Sequence, residues 1–235
     1  MTELRYTRED PRAHPRNAHA PYASTLRRAP SQPPIRLAHT LSEITGPRPG
    51  REMLRAGDDD MTRFNGGTAL GERIIVAGRV LDEDGRVLPD TLIELWQANA
   101  AGRYAHDEDR HHAPLDPHFC GIGRVITDGD GGYRFLTVKP GAYPWGNHPN
   151  AWRPNHIHFS IFGPGFATRL ITQMYFPGDP LLALDPIFNS ISDPPARQRM
   201  VATFDILTTQ PNYALGYQFD IILRGRDSTP LDSER

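Results

Sequence analysis

The sequence has 235 residues and a formal net charge of -2 from 26 basic and 28 acidic side chains, without the electrostatic footprint of a nucleic-acid or anionic-membrane binder. Cys120 is the only cysteine, which excludes an internal disulfide framework and is compatible with a reducing cytosol. The first ten residues are charged and no apolar run of membrane-spanning length follows, so the expectation is a cytoplasmic, soluble protein with a small neutral or anionic ligand.

Residues 1 to 70 are proline-rich and weakly periodic, with one short helical stretch at Ser24 to Arg28. Alone they could bury little surface. Either they are a disordered tail or they form an N-terminal arm ordered against the core or a partner chain, and the apolar Tyr22, Leu26, Ile35, Leu37, Leu41 and Ile44 favour the arm. Residues 71 to 235 then form the main domain.

From Arg73 the pattern becomes that of strands. Arg73 to Leu81, the turn Asp82-Glu83-Asp84-Gly85 and Thr91 to Gln97 read as a hairpin. Gly123 to Thr127 and Tyr133 to Val138 flank Asp128-Gly129-Asp130-Gly131-Gly132, which lacks the ligand spacing of a calcium loop and reads as a turn. Further strands are expected at His156 to Phe162, Arg169 to Phe176, Val201 to Leu207 and Tyr217 to Arg224. Gly178 to Arg199, with Pro180, Pro186, Pro194 and Pro195, reads as a surface excursion of the kind that lines active sites. About eight short strands with 23 prolines and 21 glycines predict an all-β fold, a β-sandwich core with long loops.

The strongest chemical signal is His156-Ile157-His158-Phe159. On a strand, His156 and His158 share one face while Ile157 and Phe159 share the other, so the two imidazoles can reach one metal ion. Zinc is the first hypothesis, with His106, His111, His112 and His118 crowding one segment; that segment reads equally well as a solvated loop. No acid follows the pair closely enough for the carboxylate of a non-haem ferrous site. Tyrosines do stand nearby. Tyr143 lies in a turn before the pair and Tyr104 follows the strand ending in Leu95-Trp96-Gln97. A phenol with a reference pKa of roughly 10 ligates at neutral pH only if a strongly polarising cation displaces its proton. Ferric iron is such a cation, and two phenolates, two imidazoles and a hydroxide would balance its charge; the bland alternative is that both tyrosines are half-buried packing residues.

Taken together, Leu95-Trp96-Gln97-Ala98-Asn99, Gly102-Arg103-Tyr104, Ala113-Pro114-Leu115-Asp116-Pro117, Lys139-Pro140-Gly141, Tyr143-Pro144-Trp145 and Trp152-Arg153-Pro154-Asn155-His156-Ile157-His158-Phe159 resemble the intradiol ring-cleavage dioxygenases. The resemblance runs from Ser42-Glu43-Ile44-Thr45-Gly46-Pro47 to Gly225. It implies a β-sandwich holding one Fe(III) per chain on Tyr104, Tyr143, His156 and His158, with Tyr143 the tyrosinate that substrate displaces. It implies that Arg153 stabilises negative charge developing on the substrate ring, where the structural alternative is an ion pair, that Gln173 lies in the active-site pocket, and that Tyr22, Trp145 and Ile187 contact substrate. Trp96 is expected near the iron or in simple packing. His111 and Cys120 depart from the family pattern and are expected to affect surface or packing only.

The resemblance further implies cleavage of protocatechuate with O2 to 3-carboxy-cis,cis-muconate, by an iron-bearing beta chain working with a homologous alpha chain in a hetero-oligomer. Alternatives are cleavage of catechol or hydroxyquinol, whose enzymes typically carry a helical N-terminal dimerisation region, and a non-enzymatic prealbumin-like module, which Val76 to Asp90 resembles. The tyrosine and histidine quartet separates the module from the enzymes.

Overall fold

The computed structural model describes residues 10–33, 35, 38, 40–41, 49–163 and 169–232. The Ser42 to Pro47 segment and the expected arm contacts of Leu37 and Ile44 lie outside the described residues. In chain order the strands are β1 (Arg63–Phe64), β2 (Gly67–Thr68), β3 (Arg73–Leu81), β4 (Leu92–Trp96), β5 (Ile122–Ile126), β6 (Gly132–Val138), β7 (Tyr143–Pro144), β8 (Trp152–Arg153), β9 (His156–Phe162), β10 (Arg169–Tyr175), β11 (Thr203–Phe204), β12 (Leu215–Gln218) and β13 (Ile221–Ile222).

Two sheets make the sandwich. One runs β10-β9-β4-β5; in the other β3 is the hub, paired antiparallel with β6 and parallel with β12 and β13, with β11 at the edge. Alternation sends Ile74, Val76 and Val80 of β3 and Phe135 of β6 inward against Ile93 and Leu95 of β4 and Ile157, Phe159 and Ile161 of β9, all buried in one core. Tyr133 and Phe135 meet Phe159 across the sheets at ring distances of 6.1 and 5.9 Å. Burying each such aromatic or branched chain contributes roughly 1.5–3 kcal/mol. Gln97 adds a polar tie: its amide donates to the Val138 carbonyl at 2.8 Å and accepts from Thr137 Oγ1 at 2.9 Å.

Three sequence expectations are corrected. The strands on either side of Asp82 to Gly85 are not a hairpin, because β3 and β4 belong to opposite sheets. The turn is real, with Leu81 bridged to Val87 and Leu88 N donating to Val80 O at 2.9 Å, but beyond it the chain crosses the sandwich. Strand structure within Val201 to Leu207 shrinks to β11, and Tyr217 to Arg224 divides between β12 and β13. The Gly178 to Arg199 stretch is partly helical: a 3-10 turn at Pro180–Ala183, α2 (Pro186–Asn189) and α3 (Pro194–Gln198), following α1 (Thr25–Arg28). Each of the three starts on proline and is capped by the aspartate before it, Asp179, Asp185 or Asp193.

Of the arm residues, Tyr22 is buried, while Leu26, Ile35 and Leu41 are exposed. The segment touches the main domain where Ala23 N donates to Asn147 Oδ1, Asn147 Nδ2 donates to Pro21 O, and Asp193 N donates to Arg12 O. No helix among the described residues is long and apolar enough to cross a membrane.

Candidate metal centre

β9 is buried on both faces. While Ile157, Phe159 and Ile161 fill the core, His156 and His158 point to the opposite face of the sheet, as the His-x-His spacing predicts. Register places their neighbours: Trp96 of β4 and Gln173 of β10 flank His158, and Tyr175 pairs with His156. The Trp96 indole stacks on the His158 ring at 4.7 Å and 4°.

The tyrosines come from two loops covering this face. Tyr143 stands on the two-residue ladder of β7 and β8, opposite Arg153. Tyr104 follows an Asn99-centred turn in which Asn99 Oδ1 accepts from Ala101 N and Arg103 N at 2.9 and 3.0 Å, and Asp109 Oδ2 accepts from Tyr104 N at 2.8 Å. The loops meet at Gly102, whose φ of +79° favours glycine and where any Cβ would overlap the Ala142 carbonyl oxygen. This close approach brings the Tyr104 and Tyr143 rings edge to face at 5.4 Å.

All four groups therefore converge. Tyr143 Oη lies 3.3 Å from His156 Nε2, and the two imidazole rings are 4.8 Å apart. Each histidine has Nδ1 engaged, His156 with the Pro154 carbonyl at 2.6 Å and His158 with Asp232 Oδ2 at 3.3 Å, which fixes the tautomer that offers Nε2. Burial, then the positive charge of Arg153, then His158 hold the His156 pKa well below the usual imidazole value, against the opposing pull of the Pro154 carbonyl. The ring is thus neutral, the form that binds metals. The described residues contain no group of three or more His, Cys, Asp and Glu side chains arranged for a metal, so the 106–118 histidines do not gather into a zinc site. A cation bound by these four groups has to accept phenol oxygen, which suits a small, highly charged, oxygen-seeking ion such as Fe(III).

Arg153 is completely buried and held from several sides. Its Nε lies 3.4 Å from Asp185 Oδ1, its Nη2 donates to Gln173 Oε1 and, at 3.3 Å, to the Tyr175 hydroxyl, and its guanidinium lies 5.4 Å from the centre of the Trp145 ring. The Tyr175 hydroxyl is itself 2.7 Å from Gln173 Oε1 and 3.3 Å from Asp185 Oδ2. The structural ion pair weighed against a catalytic arginine is therefore present. Asp185, Tyr175 and Asp232 were not singled out by sequence, since no local pattern connects them to the histidines.

Trp96, Tyr104, Tyr143, Trp145, His158 and the 106–112 loop line an open cleft of about 700 Å³. His111 belongs to it, and its ring packs edge-on to Trp152 at 6.1 Å. Tyr22 and Trp145 pack at 5.3 Å and line an adjoining cavity of about 570 Å³. Gln173 and Ile187 are buried behind the cleft and line neither cavity.

A family model described as "Dioxygenase" matches residues 44–225, and one described as "Protocatechuate 3,4-dioxygenase beta subunit N terminal" matches residues 6–40. The chain belongs to the intradiol ring-cleavage dioxygenases, iron-dependent oxidoreductases. Within that family it is 57% identical over 222 residues, covering 94% of both chains, to the protocatechuate 3,4-dioxygenase beta chain of Burkholderia cepacia. It is 33% identical to the alpha chain from the same organism, covering 68% of this chain and 77% of that one. Among solved structures, a 3-chlorocatechol 1,2-dioxygenase from Rhodococcus opacus 1CP superposes with a TM-score of 0.54 at 25% identity, over 70% of this chain and 64% of the other.

Proposed function

We propose that the chain cleaves protocatechuate with O2 to 3-carboxy-cis,cis-muconate, as the iron-bearing beta chain of a hetero-oligomer with a homologous alpha chain. The observation that carries this reading is the convergence of two phenols and two Nε2-presenting imidazoles, of which Tyr104, Tyr143 and His158 line one cleft and His156 lies against Tyr143 just behind it. Tyr104, Tyr143, His156 and His158 would hold one Fe(III) per chain. Bound there, the ion would supply Lewis-acid activation of a catechol ring toward O2.

The protein's own residues do the rest. Tyr143, half-buried and facing the cleft, accepts a proton at Oη from an incoming ring hydroxyl. Arg153 cannot deprotonate, and Gln173, Tyr175 and Asp185 fix its guanidinium, so it presents a preorganised positive charge next to His156 for negative charge gathering on the ring. Gln173 positions Arg153. Tyr22 and Trp145 form an aromatic wall beside the entrance, while Ile187 is buried on α2 next to the Asp185 that pairs with Arg153. Residues 1–70 are read as an arm on the 71–235 catalytic domain: the contacts of Arg12, Pro21 and Ala23 support an arm, whereas Met61 and Ala69, buried in the main core, and the Met61 N to Leu136 O bond join its last residues to that domain. The single cysteine agrees with a cytoplasmic setting.

Co-expression with a candidate alpha chain, a visible spectrum and oxygen uptake on a substrate panel test the proposal. The expected result is a coloured ferric protein that consumes one O2 per protocatechuate without added reductant. Preference for catechol or hydroxyquinol, which lack the ring carboxylate, would overturn the substrate assignment. A colourless, iron-free and inactive protein would favour a binding module.

A further inference from the structure

His156 and His158 are alike in sequence and unlike in support. The acceptor on His156 Nδ1 is a neutral carbonyl two residues away, whereas His158 meets a carboxylate, Asp232, that follows it by 74 residues. The His158 and Asp232 side chains are only 4% and 2% exposed, so the charge lies in a dry environment where it acts strongly. The same oxygen, Asp232 Oδ2, also accepts from Gln173 Nε2 at 2.8 Å.

Asp232 is anchored independently of these contacts. Its backbone N–H donates to the Ile171 carbonyl on β10 at 2.7 Å, and the preceding Leu231 N donates to His14 Nδ1 at 3.3 Å. Ser228 Oγ lies 3.4 Å from His14 Nε2. The segment after β13 is thus pinned between the sheet and the N-terminal segment with its carboxylate aimed at the histidine.

An ionised carboxylate only accepts hydrogen bonds, so both neighbours have to donate. His158 then carries its proton on Nδ1 and offers Nε2. Gln173 turns its NH2 toward Asp232 and its oxygen toward Arg153 and Tyr175. We propose that Asp232 is a positioning residue of the metal centre: its carboxylate orients and negatively polarises His158, and through the Gln173 amide it sets the acceptor that holds Arg153.

The proposal rests on the ferric assignment of the site. A carboxylate on the far nitrogen makes an imidazole a more basic ligand, and a more basic ligand favours the higher charge of Fe(III) over Fe(II). Asp232 therefore makes His158 the stronger donor of the pair and ties its orientation to that of Arg153.

Asp232→Asn and Asp232→Ala in the iron-loaded protein separate charge from hydrogen bonding. Asparagine can keep an acceptor oxygen toward both donors without the charge; alanine removes both. The midpoint potential of the bound iron is expected to rise in both variants and the phenolate-to-iron band to shift. Loss of iron to a competing chelator is expected to become easier by roughly 10- to 100-fold in Asp232→Ala. If Asp232→Ala fails to fold, Asp232→Asn decides by its potential and band. Wild-type potential, band and iron retention in the folded variants would overturn the proposal, even with a lowered melting temperature, because Asp232 would then only anchor the chain. A wild-type protein that takes up no ferric iron overturns the ferric assignment together with the proposal, and does so before any variant is made.

Discussion

Asp185→Asn removes charge from the Arg153 pair while changing almost nothing else. Asparagine matches aspartate in shape and is as good an N-cap, so the bond from Ile187 N to residue 185, 3.1 Å in the parent, can persist and α2 keeps its start. What changes is that a guanidinium with 0% exposure loses the carboxylate 3.4 Å from its Nε. At that separation, an effective dielectric of 20 gives an attraction of about 5 kcal/mol. Breaking one side of a buried pair typically costs about 3–5 kcal/mol. The retained acceptors, Gln173 Oε1 and the Tyr175 hydroxyl, are neutral and offset only part. For a chain of this size such a loss lowers Tm by roughly 6 to 20 °C. Urea unfolding followed by tryptophan fluorescence gives the free energy, with Trp145 reporting locally because it contacts Arg153. The double replacement Arg153→Met with Asp185→Leu is expected to recover much of the lost stability and none of the activity, since apolar side chains can replace a buried pair in packing but not in charge. A loss below about 1 kcal/mol in Asp185→Asn, or no recovery in the double variant, would refute the claim that this charge pair organises the arginine.

Gly102→Ala forces an L side chain into a left-handed φ and against the Ala142 carbonyl; it is expected to separate the two tyrosine loops, lowering Tm and iron content together, as a metal assay on the purified protein would register. Tyr143→Phe removes one of the four proposed donors, and turnover is expected to fall on the order of 100-fold with a changed visible band; an unchanged spectrum and rate would remove Tyr143 from the site. Tyr133 donates its buried hydroxyl to the Phe219 carbonyl, and Tyr133→Phe leaves that acceptor unsatisfied at a cost of about 1–3 kcal/mol. Burial first, then Asp220, raises the Tyr133 pKa well above its ordinary value. The contribution of a raised acid is complete below the unfolded value of roughly 10 and is lost as pH rises from there toward the folded pKa. Stability of the parent should therefore fall more steeply above that pH than stability of Tyr133→Phe, as alkaline denaturation curves would show.

Alternation made β9 legible over His156 to Phe162, including which face takes the histidines, because a period of two is a property of the strand itself. The tyrosines could be proposed as ligands only through the ordered motifs, since a tyrosine beside a turn has the same local pattern whether it packs or binds. Local chemistry at Asp82 to Gly85 shows that the chain turns but says nothing about the sheet it enters next, which is why β3 and β4 misread as a hairpin. Asp-Pro at 179–180, 185–186 and 193–194 carried a signal that was readable: an N-cap followed by proline at the first helical position starts a helix as readily as proline ends one. Asp185 and Asp232 had no such signal. Their roles exist only once α2 and the segment after β13 are folded against the sheet.

The two faces of β9 have a consequence for how such a protein can change. Inserting or deleting one residue within the strand would exchange His156 and His158 for Ile157 and Phe159, emptying the centre and driving imidazoles into the hydrocarbon interior at the same stroke. The strand therefore tolerates no error of frame, and folding and chemistry fail there together. The loops carrying His106 to His112 and Trp145 to Asn147 line the openings. On the proposed reading, new ring substituents would be accommodated by rewriting those loops over an unaltered baseplate.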